Sequence, residues 1–69
     1  MLEVFQIDNS SMGLRIDKWI RLNLSKIPQS LIEKDLRNGK IKVNKKKIKS
    51  SYKLKLLDKI YLYNIYYKK

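Results

Sequence analysis

Between Gly39 and Lys59 the chain reads GKIKVNKKKIKSSYKLKLLDK, and the spacing of its lysines constrains the fold more than their number does. Lys40 and Lys42 flank Ile41, with Val43 next; Lys47 and Lys49 flank Ile48; Lys53 and Lys55 flank Leu54, with Leu56 next. A repeat of two is the pattern of extended backbone with one side buried and the other wet. A disordered basic tail has no core and no reason to space isoleucine, valine and leucine in this way. The stretch therefore reads as folded, with strands expected at about 40–43, 47–48, 54–56 and 59–63.

Upstream, the periodicity changes. LEVFQI, Leu2 to Ile7, alternates and reads as a short strand, placed at a sheet edge. Asp8 to Gly13 is a turn cluster. From Arg15 to Leu24, Ile16, Trp19, Ile20 and Leu24 fall at helical spacing and form one apolar stripe. Asp17 and Arg21 stand four apart in the order that stabilises a helix, so they are expected to pair, or Asp17 to cap the helix start. Pro28 suits the first turn of a second helix, where its missing donor leaves nothing unpaired. That helix is expected to bury Leu31, Ile32 and Leu36 and to stop at Gly39, where a left-handed residue is wanted. The order is strand, helix, helix, then sheet. This is an α+β domain with two helices packed on a small, mainly antiparallel sheet.

Composition then narrows the chemistry. A chain of 69 residues is one small domain, divided here into a folded unit at 1–65 and a tail or linker start at 66–69. With 17 Lys+Arg against 6 Asp+Glu the formal net charge is +11, which points to a polyanionic partner. The chain has neither cysteine nor histidine, which removes disulfides, thiol chemistry, imidazole acid–base work and Cys/His zinc sites. The acids are scattered, so no paired carboxylates can be argued, and two glycines do not make a phosphate-cradling loop. No metal, cofactor or membrane partner is expected. The apolar runs are too short for a transmembrane helix and the N-terminus does not read as a signal peptide, so the expected location is cytoplasmic.

The motifs are more specific than the composition. Arg15-Ile16-Asp17-Lys18, then Arg37-Asn38-Gly39, Val43-Asn44 and Leu57-Asp58 occur in this order over residues 13 to 63. The set resembles the RNA-binding domain named after ribosomal small-subunit protein S-four, the alpha-L motif. Within that family, IPQSLI, VNKKKIK and YKL are most similar to the domain that precedes the catalytic domain in bacterial pseudouridine synthases acting on large-subunit ribosomal RNA. The resemblance implies the alpha-L fold, binding of structured RNA, and a catalytic domain outside this stretch. Two positions depart from the pattern. Leu57 stands where glycine is usual, so its turn must adapt or hold a bulky residue in a costly conformation. Ser50 stands where proline is common, which loosens the loop after Lys49.

The candidate RNA-binding residues are Arg15, Lys18 and Arg21 on the first helix, Lys34 and Arg37 on the second, and Lys40, Lys42, Asn44, Lys45, Lys46 and Lys47 after Gly39. On any one helix such charges also fit a plain solvated face. The resemblance makes several converge near the helix corner, where they would hold phosphates and give steep salt dependence with little sequence readout. The Asn38-Gly39 backbone and Asn44 would add hydrogen bonds to sugar or phosphate. Trp19 lies on the apolar stripe and reads as core, while Tyr52 admits both core and base-stacking readings. Tyr61, Tyr63, Tyr66 and Tyr67 are expected to pack on the sheet or edge the terminus. Asp17 imitates the arginine-leucine-aspartate setting of a pseudouridine synthase catalytic aspartate, but it belongs to the RNA-binding helix, so no catalytic residue is assigned. Three functions stay open: the targeting part of such a synthase, a free-standing family member that binds ribosomes or ribosomal RNA without chemistry, and a basic module for anionic membrane surfaces. The last lacks the broad apolar face of an interfacial helix.

Overall fold

The structure, a computed structural model, describes residues 2–24 and 27–63. Five elements follow one another: β1 (Leu2–Gln6), α1 (Ile16–Asn23), α2 (Gln29–Arg37), β2 (Ile41–Val43) and β3 (Lys59–Tyr63). The sheet is antiparallel in the order β1-β3-β2, with Leu2 opposite Tyr63 at one end of β1 and Ile41 opposite Leu62 on the other side of β3. β1 is thus an edge strand, and β3 is the centre. This is the expected α+β arrangement.

Alternation decides which side of the sheet is buried. Ile41, Val43, Ile60 and Leu62 turn to the helices and join Ile16, Trp19, Ile20, Ile32 and Leu36 in the core. Trp19 is 4 % exposed and meets Phe5 of β1 edge to face, ring centroids 5.4 Å apart, as the apolar stripe of α1 requires. Leu31 differs from expectation: it is exposed, because at roughly 100° per residue it lies well away from the direction shared by Ile32 and Leu36. Pro28 sits one place before α2 as its N-cap, and Gly39 ends the helix with φ +77°.

Two expected strands are not strands. Residues 53–55 are extended but pair outside the sheet, with the segment before α1: Gly13 N–H donates to Leu54 O (2.8 Å), Leu54 N–H to Leu14 O (2.8 Å) and Ile16 N–H to Tyr52 O (2.8 Å). Leu54 is buried by this pairing, whereas Leu56 points to solvent. Residues 47–48 form a connecting loop in which only Ile48 reaches the core. A period of two reports extended backbone, and the partner of that backbone is a separate question. The readings placed on residues 64–69, including Tyr66 and Tyr67, lie outside the described residues.

The turn after β2 and the turn before β3 show how sequence meets backbone. Val43 and Lys46 exchange backbone hydrogen bonds of 3.1 and 3.0 Å across Asn44 and Lys45, whose φ values of 52° and 66° are those a two-residue hairpin turn demands. Asparagine tolerates that region better than most residues. Leu57, in the place of the usual glycine, also has positive φ, 72°, so the second of the anticipated alternatives holds: the turn keeps its shape and the leucine bears the strain.

Candidate nucleic-acid interface

Asp17 organises the α1 end. Its carboxylate is buried, yet it accepts three hydrogen bonds: from Arg15 Nη2 (3.0 Å), from Lys18 backbone N–H (2.7 Å) and from Gln29 Nε2 (3.0 Å). Burial works against the charged form, but the bonds from Gln29, the Lys18 N–H and Arg15 prevail and hold the carboxyl below its ordinary range. The expected Asp17–Arg21 pair does not form. Gln29 stands between them, donating to Asp17 and accepting from Arg21 through its Oε1, so a residue of α2 bridges both. The first-turn N–H of Lys18 is satisfied by Asp17, since Arg15, the N-cap, makes no side-chain cap. Arg15 and Arg21 are thereby oriented along the seam between the helices.

From this seam the surface continues to the corner after α2. Gln29 also donates to Glu33 (3.2 Å), and Glu33 lines a cleft of about 330 Å³ with Arg37, Ile48, Lys49, Ser50 and Ser51. The loop side of the cleft is tied to α1, because Asp17 N–H donates to Ser50 O at 3.4 Å. Gly39 follows Arg37 and Asn38, and the Cε atoms of Lys47 and Lys42 would stand 3.1 and 3.2 Å from a Cβ placed there. Local contacts thus lead from Arg15 and Arg21 through Gln29 and Glu33 to Arg37, and from there along the chain to the Gly39 corner with Lys42 and Lys47. Lys18 and Lys34 project from the sides of α1 and α2 opposite their buried residues, and Lys40, Lys45 and Lys46 are exposed around the corner.

Some groups named from the sequence have internal tasks. Asn44 Nδ2 donates to Asp58 (2.9 Å), and its Oδ1 accepts from Lys59 N–H (3.1 Å). The N–H groups of Asn38 and Gly39 donate to Lys34 O (2.9 Å) and Leu36 O (3.2 Å). Tyr52 donates its hydroxyl to Asp58 at 2.7 Å, which with burial pushes its pKa up to about 12. Asp58 in turn is buried, which alone would raise its pKa, but Tyr52, Lys55 N–H and Asn44 hold it low. Tyr52 is therefore a half-buried anchor of the loop.

Sequence reasoning missed two features. Lys49, Ser50 and Ser51 face Arg37 across the cleft, and Lys53 is paired in backbone register with Arg15. The double serine after a lysine was a usable signal for a polar pocket; the Arg15–Lys53 neighbourhood needed a tertiary contact. Among the described residues, no three His, Cys, Asp or Glu side chains are grouped to hold a metal ion, and no helix is long and apolar enough to cross a membrane.

Comparison with known proteins agrees with the motifs. The chain is similar to ribosomal large subunit pseudouridine synthase C of Vibrio parahaemolyticus, with 44 % identity over 57 residues covering 83 % of this chain and 18 % of that protein. It is 39 % identical over 59 residues to the same-named proteins of Buchnera aphidicola subsp. Schizaphis graminum and Escherichia coli, covering 86 % of this chain and 19 % and 18 % of theirs. The chain spans less than a fifth of the length of these curated relatives, given the 19 % and 18 % shares. No solved structure matches it. Residues 14–60, from the approach to α1 through the start of β3, match the family model of the S4 domain. By this match, which covers more than half of its length, the chain belongs to the S4 domain family, the RNA-binding family its motifs resemble.

Proposed function

We propose that this chain is the RNA-targeting part of a bacterial large-subunit ribosomal RNA pseudouridine synthase, and that it holds structured RNA while a catalytic domain outside it isomerises a uridine. The observation that carries this is the run of cations from Arg15 and Arg21 across the helix seam and the Arg37 cleft to Lys42 and Lys47 beside Gly39. Arginines fixed in direction suit phosphate oxygens, which take a planar fork well. Lys18, Lys34, Lys40, Lys45 and Lys46 extend the positive field around them. Asn44 contributes by fixing the turn that presents Lys45 and Lys46. The similarity to pseudouridine synthases supports the catalytic setting, and matching less than a fifth of them supports a part that binds without catalysing, in the bacterial cytoplasm.

The test is a salt titration against one RNA hairpin. Replacing Arg37 and Lys40 with alanine removes two charges from the proposed surface, and replacing Lys68 and Lys69 removes two that the proposal does not assign to it. The first variant binds far more weakly, and its slope of log affinity against log salt flattens by roughly 0.7 to 0.9 for each phosphate no longer neutralised. Hairpin RNA also competes better than DNA of equal length, since A-form shape and 2′-hydroxyls are offered only by RNA. Equal weakening in the two variants refutes the assigned surface. Pseudouridine formation by the isolated chain, abolished by Asp17→Asn, refutes the division of labour.

A further inference from the structure

The side of the sheet turned away from the helices meets the surface just described only through Lys42 and Lys45. Strand alternation places Leu2, Val4 and Gln6 of β1, Lys59, Tyr61 and Tyr63 of β3 and Lys42 of β2 on it. Leu2 and Val4 are about half exposed, at 51 % and 46 %. Tyr61 and Tyr63 lie nearly parallel, 14° between planes and 6.1 Å between centroids. Lys42 Nζ stands 5.4 Å from the Tyr63 ring and Lys45 Nζ 5.9 Å from that of Tyr61. The acid of β1, Glu3, falls on the other parity, so these positions carry lysines and no carboxylate.

We infer that this face is a second RNA site, which stacks unpaired nucleotides on Tyr61 and Tyr63 while Lys42 and Lys45 hold their phosphates. The inference rests on the RNA-binding reading above and adds a different substrate class, single-stranded RNA next to the structured element. Three observations favour nucleic acid over a protein partner. The charge on the face is of one sign. The aromatic pair is aligned, with flanking cations, as in single-strand binders that stack any base on an aromatic ring. Lys42 reaches the Gly39 corner with its Cε and the Tyr63 ring with its Nζ, so a strand leaving the corner meets the tyrosines without a gap in positive potential. Both lysines have long, unbranched stems with many rotamers, and Lys45 is exposed and Lys42 only partly buried, so they can swing aside and free the ring faces for bases.

The experiment compares a blunt RNA hairpin with the same hairpin bearing a short single-stranded uridine tail. The natural chain binds the tailed form about tenfold more tightly, the gain from a single stacked base. Tyr61→Val with Tyr63→Val, which keeps strand-forming side chains, abolishes that gain and leaves the affinity for the blunt hairpin unchanged. Photo-crosslinking of a thiouridine-containing tail to the natural chain, mapped by mass spectrometry, needs no variant and places the adduct on Tyr61 or Tyr63. A tail that adds nothing, an adduct confined elsewhere, or a variant that loses a self-association of the chain and keeps the tail gain overturns the inference and leaves the hairpin surface standing. Failure of the natural chain to bind either hairpin overturns both readings.

Discussion

The α1 end and the Gly39 corner are both strongly basic, yet they hold their cations differently. At the α1 end, Arg15 and Arg21 are tied to Asp17 and Gln29, and the carboxylate is buried under three donors. At the corner, Lys42 and Lys47 close over a glycine, and Lys42 and Lys45 lie against tyrosine rings. The first arrangement fixes direction; the second supplies charge on flexible stems. Orientation needs a fixed acceptor, and a chain with few acids has few to offer. Here Asp17 holds Arg15 directly and Arg21 through the amide of Gln29.

The largest effect comes from removing what the two regions share. Trp19→Ala takes the edge-to-face packing with Phe5 out of the core and is expected to destabilise by about 3–5 kcal/mol, close to the whole stability of so small a domain. Chemical denaturation reads it. A well-folded variant with weakened RNA binding would show that the core assignment is wrong and that the tryptophan meets RNA.

Asp17→Asn separates the regions. It keeps the shape but loses the charge that Arg15 and Gln29 answer, at an expected 1–3 kcal/mol, roughly the loss for hydrogen bonds to a charged group. The same residue predicts a pH response. The carboxyls of Asp17 and Asp58 sit below their ordinary values in the folded state, so the stability they give is present above the unfolded value near 4 and disappears as pH falls through the folded ones. Tyr52 acts at the other limit: its contribution is complete below about 10, the unfolded value, and is lost as pH rises to about 12. Urea midpoints across pH should show both flanks, the acid one shallower in Asp17→Asn. An acid flank of unchanged steepness would mean the α1 end is not held by this carboxylate.

Smaller effects lie in the turns. Gly39→Ala puts a side chain at φ +77°, against lysine tails that yield easily, so conformational strain of about 1–2 kcal/mol should dominate. Leu57→Gly works in reverse. The exposed leucine gives up strain of similar size, and the greater freedom of the unfolded glycine offsets part of it, leaving a gain of about 0.5–1 kcal/mol. Thermal melts of the two variants should shift in opposite directions. A lower melting point for Leu57→Gly would show that the side chain's packing outweighs its strain.

What the sequence disclosed follows from the range over which each signal acts. The helices were legible from Trp19, Ile32 and Gly39 because their spacing and stop are local. Strain at Leu57 was one of two outcomes that the family resemblance left open, and the positive φ decides between them. The sheet was half legible: Ile41 and Ile60 alternate as strands do, but so does Leu54, whose partner, Leu14, lies far back in the chain and cannot be seen from spacing. The candidate site divides the same way. Positive charge at Arg15, Arg37 and Lys47 could be read from the chain, but not that Gln29 would come between Asp17 and Arg21, nor that Lys49 would face Arg37. From sequence Asn44 reads as a group for RNA, because a polar residue in a turn gives no sign of its internal partners.

The strand order has a consequence in time. β1 and β2 do not touch each other; each pairs only with β3, the last described element, and Leu2 must wait for Tyr63. During synthesis, no part of this sheet can form until β3 has left the ribosome. Until then both helices, already synthesised, lack the floor of Ile60 and Leu62 under their apolar faces. Closing so long a loop delays folding, because its entropy is lost before any strand pairing repays it. Folding should therefore be a single late event, triggered by the final described strand, and a nascent chain stopped short of Ile60 should expose a basic, unclosed hairpin of helices.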